Sequence, residues 1–221
     1  MNRKIRVGLN GLGRIGRHIF KMCIDDPLIE LVGINEINPD LKNWSYTLNY
    51  DSIYGQSKHK TEIKNKKLIC NNKSIFTSMC RDITNVKWKD WGVQIIIDSS
   101  GVLENTFKAA QLIEENYTEK IIFTNSPENV DFTMILGVNE NKYNPKKHNL
   151  IAASICDATA IAPVSKLIDS LFKIKLGYVT TLHPWLSYQN LMDGPSSSWS
   201  VPGEVYHHYA LGRSAIGNMI P

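Results

Sequence analysis

Three glycines at fixed spacing, in the run Gly11-Leu12-Gly13-Arg14-Ile15-Gly16, are the residues whose types and positions point most directly to chemistry. Only backbone without a Cβ can come close to a pyrophosphate. The first glycine permits a sharp turn, and the last lets a following helix pack closely. Such a helix turns its unpaired N–H groups and the positive end of its dipole toward the phosphates. Glu36 follows about 20 residues later, where a carboxylate can accept hydrogen bonds from an adenosine ribose 2′-hydroxyl. That position favours NAD, because a 2′-phosphate would meet like charge. A solvated acid after a strand is the plainer alternative. The four cysteines, Cys23, Cys70, Cys80 and Cys156, are widely spaced without a CxxC pair. We therefore expect no disulfide framework and no zinc or other metal site, but free thiols in a reducing compartment, the cytoplasm, with one thiol available as a reagent.

The elements that must position these groups can be read from hydrophobic periodicity. Lys4 to Asn10 is a short apolar run that predicts a buried strand leading straight into the glycines. Ile15, Ile19, Met22 and Cys23 then repeat at helical spacing, Pro27 marks the far end, and Ile29 to Ile34 is the next strand, which completes a βαβ unit. Apolar runs at Gln94–Asp98, Lys120–Phe123 and Thr133–Leu136 alternate with a helical pattern over Asn105–Glu115. The fold class expected is α/β, a Rossmann-type doubly wound and mostly parallel sheet with helices on both faces.

Between Asn49 and Trp91 the pattern changes. Leu68-Ile69-Cys70 and Ser74-Ile75-Phe76, separated by Asn71-Asn72-Lys73, predict an antiparallel insertion with a tight hairpin, expected to form an added lobe. From Ile151 a helical pattern runs through Ile161, Val164, Leu167, Ile168 and Leu171, followed by a strand-like Leu176–Leu182 and, after Asp193-Gly194-Pro195, by loop. Residues 1–150 are read as an NAD-binding Rossmann domain, and a second region begins near Ile151. With 43% hydrophobic and 21% charged residues the composition is that of an ordinary globular protein. No membrane span is expected. The densest basic run, Lys58 to Lys67, is broken by Glu62 and carries little aromatic character, so it reads as a solvated hairpin, not a nucleic-acid surface.

The run Asn10-Gly11-Leu12-Gly13-Arg14-Ile15-Gly16-Arg17 closely resembles the NGFGRIGR signature of the phosphorylating glyceraldehyde-3-phosphate dehydrogenases, from which it differs at one position. The resemblance continues in order through Asn35-Glu36, Tyr50-Asp51-Ser52, Arg81-Asp82, Val86-Lys87-Trp88, Ser99-Ser100-Gly101-Val102, Gly137-Val138-Asn139 and Lys142-Tyr143. It implies an NAD site formed by Asn10, Gly11, Gly13, Arg14, Ile15 and Gly16 with Glu36 on the adenine ribose, and by Arg81, Ser99, Gly101 and Thr124 along the cofactor. Ser154-Ile155-Cys156-Asp157-Ala158 looks like the segment of the catalytic cysteine, and Thr180-Thr181-Leu182-His183 like that of the catalytic histidine.

On this reading the Cys156 thiolate attacks an aldehyde, His183 removes the hydroxyl proton, hydride passes to the nicotinamide, and phosphate or water releases the thioester. Cys156 would stand at a helix N-terminus, which favours a thiolate. Taken alone, a single cysteine beside a helix start is more often filler, and a single histidine at a strand end a satisfied hydrogen-bonding residue.

The sequence departs from the family around the cysteine and beyond. Where the family has a serine and threonines that help hold phosphate, this chain has Ile155, Asp157 and Ala158. Leu186 and Tyr188 replace the substrate-phosphate residues after the histidine, while Gln189 remains. A carboxylate at Asp157 would repel a phosphate about 4 Å away by about 1–4 kcal/mol, or would simply favour the helix start. The substrate expected is an aldehyde with altered phosphate recognition. The family is longer by roughly half, so the resemblance implies that residues 151–221 are the start of an incomplete α+β catalytic domain. The family also implies a homo-oligomer, tetramer or dimer; the loop after Asp193, which would help form that interface, carries Trp199, Tyr206, His207, His208 and Tyr209, a composition suited to contact or to substrate and equally explained by packing within one chain. A non-catalytic NAD-binding or assembly subunit is the alternative.

Overall fold

The computed structural model describes residues 4–185, 189–195, 198–201, 204–207 and 209–219. Along the chain run β1 (Ile5–Asn10), α1 (Arg14–Asp25), β2 (Ile29–Asn35), α2 (Leu41–Asn49), β3 (Tyr50–Asp51), β4 (Gly55–Gln56), β5 (Thr61–Lys64), β6 (Lys67–Cys70) and β7 (Lys73–Ser78). There follow β8 (Ile95–Asp98), α3 (Glu104–Glu114), β9 (Lys120–Phe123), β10 (Phe132–Thr133), β11 (Leu150–Ala152), α4 (Cys156–Phe172), β12 (Ser198–Val201) and β13 (Glu204–His207). The chain divides into two compact units, Met1–Thr159 and Ala160–Pro221.

The first unit is built on one sheet in the order β10-β11-β9-β8-β1-β2-β7-β6-β5. All neighbours from β10 to β7 are parallel. From β1 the chain moves outward through β2 to β7, then returns to place β8 on the other flank of β1. This reversal is a topological switch point, and in open α/β sheets the crevice beyond the strand ends at such a point is where ligands bind. The fold is therefore the mostly parallel, Rossmann-type α/β sheet that the periodicity predicts.

Side chains alternate across this sheet and supply two cores. Ile95 and Ile97 pack with Val7, Leu9, Phe20 and Cys23 on the face covered by α1. Ile96 packs with Ala109 and Leu112 of α3 and with Trp88 and Trp91 on the other. The two tryptophan rings, set edge to face at 84° to one another, come close to the strands because Gly8 and Gly33 have no side chains there. A Cβ at Gly8 would come within 2.7 Å of the Trp88 ring, and one at Gly33 within 2.3 Å of the Trp91 ring.

Three expectations are revised. The antiparallel insertion does not form a separate lobe. Its hairpin turns at Asn65-Lys66 and Asn71-Asn72, all four residues with positive φ, but β7 also pairs with β2 in parallel and extends the main sheet. The strand expected over Thr133–Leu136 is only Phe132–Thr133, beside β11. Leu176–Leu182 is not a strand. Its apolar alternation is real, but a strand needs a ladder partner for its N–H and C=O groups, and none pairs with it among the described residues.

In the second unit the loop expected after Pro195 is revised as well: β12 and β13 form an antiparallel pair there, each supplying the ladder partner the other needs. Nearby, Asp193 accepts from the Ser214 N–H and pairs with Arg213 at 2.7 Å, so Arg213 is a surface cation held by an acid. No helix of the described residues is long and apolar enough to cross a membrane.

Candidate cofactor site and candidate nucleophile

The crevice at the switch point is shaped by the β1–α1 turn. Gly11 has φ +89°, a left-handed conformation, and a Cβ there would sit 2.7 Å from the Ser100 backbone. At Gly16 a Cβ would come within 2.1 Å of the Gly11 carbonyl oxygen, so only glycine lets α1 start this close to the strand end. Gly13, by contrast, faces open space. It stands at the N-cap of α1 with no side-chain cap, and the first N–H groups of a helix have no intrahelical partner. The result is a helix start whose positive end suits an anion, bordered by a bare backbone.

One cleft gathers Asn10, Gly11, Gly13, Glu36, Arg81 and Ser99 of the residues expected from sequence, together with Asn35, Cys80, Ser100 and Asn105. Arg14, half-buried, and Ile15, 47% exposed, follow in the first turn of α1. Gly101 has φ +70° in the loop after β8. Thr124 directly follows β9 and donates its N–H to the Asp98 carbonyl (3.0 Å). Glu36 leans over the glycine turn. Its Oε2 accepts from the Leu12 N–H (2.6 Å) and its Oε1 from the Asn38 N–H (3.1 Å). A carboxylate has about four acceptor positions, so the sugar hydroxyls of a dinucleotide still find capacity there.

Beneath the cleft lies a buried polar network that the sequence reading missed. Asp98, 4% exposed, accepts from Asn10 Nδ2 (3.0 Å), Asn105 Nδ2 (3.1 Å) and the Ser100 N–H (2.9 Å). Asn35 Nδ2 donates to Asn10 Oδ1 (2.7 Å) and to the Cys80 carbonyl (2.9 Å). Ser99 Oγ donates to the Gly11 carbonyl (2.8 Å). The ends of β1, β2 and β8 and the loops that leave them are thus locked together, and Asn10 works from below as much as at the cleft surface. The signal available was a polar residue closing each of three apolar strands.

Arg17 braces the same turn, donating to the Leu12 carbonyl (3.3 Å) and to Asp51 (2.6 Å). Burial alone would raise the Asp51 pKa. The Tyr54 N–H, Arg17 and the Ile53 N–H outweigh it and bring the carboxyl down to about 2.

Cys156 begins α4 and is exposed, with its Sγ 3.8 Å from Asp157 Oδ1. Cys23 and Cys70 are buried, which pushes both thiols up to about 11 and keeps them protonated. Cys80 is half-buried, so Cys156 is the one exposed thiol of the four. His183 is also exposed, with Nε2 3.2 Å from Thr181 Oγ1. It belongs to the second compact unit, whereas Cys156 belongs to the first. Leu186, Tyr188 and His208 lie outside the described residues.

A doubly wound sheet with an uncapped, glycine-lined helix start at its switch point defines a dinucleotide-binding domain. Residues 5–106 match the family model described as glyceraldehyde 3-phosphate dehydrogenase, NAD binding domain. The chain is 31% identical over 217 residues to glyceraldehyde-3-phosphate dehydrogenase 1 of Bacillus subtilis, covering 98% of this chain and 61% of that one. It is 34% identical over 191 residues to the Geobacillus stearothermophilus enzyme (86% and 56%) and 34% identical over 218 residues to that of Podospora anserina (98% and 61%). This chain belongs to the glyceraldehyde-3-phosphate dehydrogenase family, and its cofactor is NAD. It spans about three fifths of the length of the curated relatives it matches.

Proposed function

We propose that the chain oxidises an aldehyde with NAD through a hemithioacetal and then a thioester on Cys156, with His183 as the base that removes the hydroxyl proton. The observation that carries this reading is the exposed Cys156 at the head of α4, in a family whose relatives are named as dehydrogenases. Residues 1–150 are the NAD-binding domain and residues 151–221 the start of the catalytic domain.

The glycine turn and the first N–H groups of α1 hold the pyrophosphate, Glu36 the adenine ribose, and Arg81, Ser99, Gly101 and Thr124 line the rest of the dinucleotide. NAD, when bound, supplies the hydride acceptor. The chain's own work is to activate the thiol at a helix N-terminus and to orient the aldehyde beside it. Ile155, Asp157 and Ala158 leave no polar cradle around Cys156 for a phosphate, which supports altered recognition of the substrate phosphate. The reading includes a cytoplasmic protein and a homo-oligomer, tetramer or dimer.

The test is single-turnover NADH formation with phosphorylated, neutral and nucleotide-linked aldehydes, with and without phosphate, beside Cys156→Ala. A burst that depends on Cys156 is expected. NAD binding with no burst from any aldehyde replaces this reading with a non-catalytic NAD-binding subunit.

A further inference from the structure

The residue after Cys156 is an acid, and its carboxylate reaches the sulfur: Asp157 Oδ1 is 3.8 Å from Cys156 Sγ. Both occupy the first turn of α4. Cys156 is exposed, Asp157 half-buried, and Ile155 is 50% exposed, so water has access to the sulfur and to the carboxylate together. An ionised carboxylate only accepts. It can take a proton from a water molecule but offers no donor to an anion, and at this range it repels a phosphate. An acyl group on Cys156 would place its carbon one bond beyond the sulfur, within reach of a water held on that carboxylate, with its oxygen at the positive end of the helix.

We propose that Asp157 is a catalytic residue for deacylation, the general base that directs water rather than phosphate to the thioester. This rests on the reading of Cys156 as the nucleophile. The water oxygen bonds to the carbonyl carbon as Asp157 takes one of its protons. The tetrahedral oxyanion then collapses, the C–S bond breaks, and the electron pair returns to Cys156 as thiolate. The acid product and Asp157 give their protons to solvent, and no electrons pass to or from a redox partner. The reaction class assigned is oxidation of an aldehyde to a free carboxylate, without formation of an acyl phosphate.

The experiment separates acyl transfer to Cys156 from release of the acyl group. The whole chain is treated with p-nitrophenyl acetate, acetyl-Cys156 is identified by peptide mapping, and its decay is followed by intact mass. Asp157→Asn removes the charge, and Asp157→Ser keeps a residue favoured at helix starts. Both variants are expected to acetylate normally and to lose the acetyl group about 100-fold more slowly. In the parent chain the decay is flat across neutral pH and unmoved by inorganic phosphate. In the variants it rises with hydroxide concentration, a change that a merely structural role for Asp157 would not produce. Equal acetyl lifetimes in parent and variants overturn the proposal, as does acceleration of the parent by phosphate. Failure of Cys156 to acetylate in the folded parent overturns the nucleophile reading beneath it, and is recognisable because it appears before any decay is measured.

Discussion

Two of the junctions from a parallel strand into a helix, β1–α1 and β11–α4, pass through turns of three residues, and they are built in opposite ways. At the β1–α1 junction Asn10, Gly11, Leu12 and Gly16 are all buried, and the turn is held to β2, to the loop after β8 and to Asp51. At the β11–α4 junction Ser154 is buried with φ +67°, but nothing along α4 is. A site that recognises a constant ligand can be made rigid by its own scaffold. On the proposed reading the second junction must leave its sulfur open to a substrate, and no side chain of its helix is buried to fix it.

The largest expected effect breaks the first junction. Gly16→Ala forces a methyl against the Gly11 carbonyl and should cost about 3 kcal/mol of stability in denaturant unfolding, with loss of NAD binding. Next, Asp98→Ala leaves two amide groups and the Ser100 N–H without their acceptor. It should cost about 2–3 kcal/mol, with weaker NAD binding in calorimetry. Gly13→Ala sharpens the contrast, because its Cβ meets nothing within 4 Å. Stability should change by about 0.5 kcal/mol, while NAD affinity falls about tenfold, or 1.4 kcal/mol.

Acid should loosen the same junction more gently. Asp51 titrates at about 2 instead of 3.8. A carboxyl lowered on folding stabilises above its unfolded value, so the contribution is whole above about pH 5 and disappears as pH falls through 4 toward 2. Asp82, brought down to about 2 by Lys108 and by the Thr84 N–H and hydroxyl, adds to this in the same window. Asp51→Asn should flatten the acid limb of a stability profile. Least affected should be Cys156→Ala, which removes an exposed side chain and should shift stability by less than about 0.5 kcal/mol. A larger change would mean that the second junction is tied down as firmly as the first.

Much of the first junction could be read from the sequence. The apolar run, the three glycines and the helical period lie within one stretch, so β1, α1 and β2 fall where the pattern places them, and the turn at Asn71-Asn72 follows from residues that tolerate positive φ. The network under the cleft could not be read, because Asn10 and Asp98 meet across 88 positions and each looks alone like the start of a loop. Leu176–Leu182 shows the reverse error: a local pattern predicts a strand, but only a partner makes one.

The position of β1 in the sheet has a consequence for how the molecule is made. One flank is paired by β2 within about 25 residues, but the other waits for β8, about ninety residues later. During synthesis the first helix can settle early, while an open strand edge persists through the whole β5–β7 hairpin region, a stage at which edge-to-edge association competes with productive pairing. Closure of that edge brings Asp98 to Asn10, so the ability to hold a dinucleotide arrives in the same event that ends this exposure. Added cofactor should therefore speed the last stage of refolding only after residue 98 has joined the sheet.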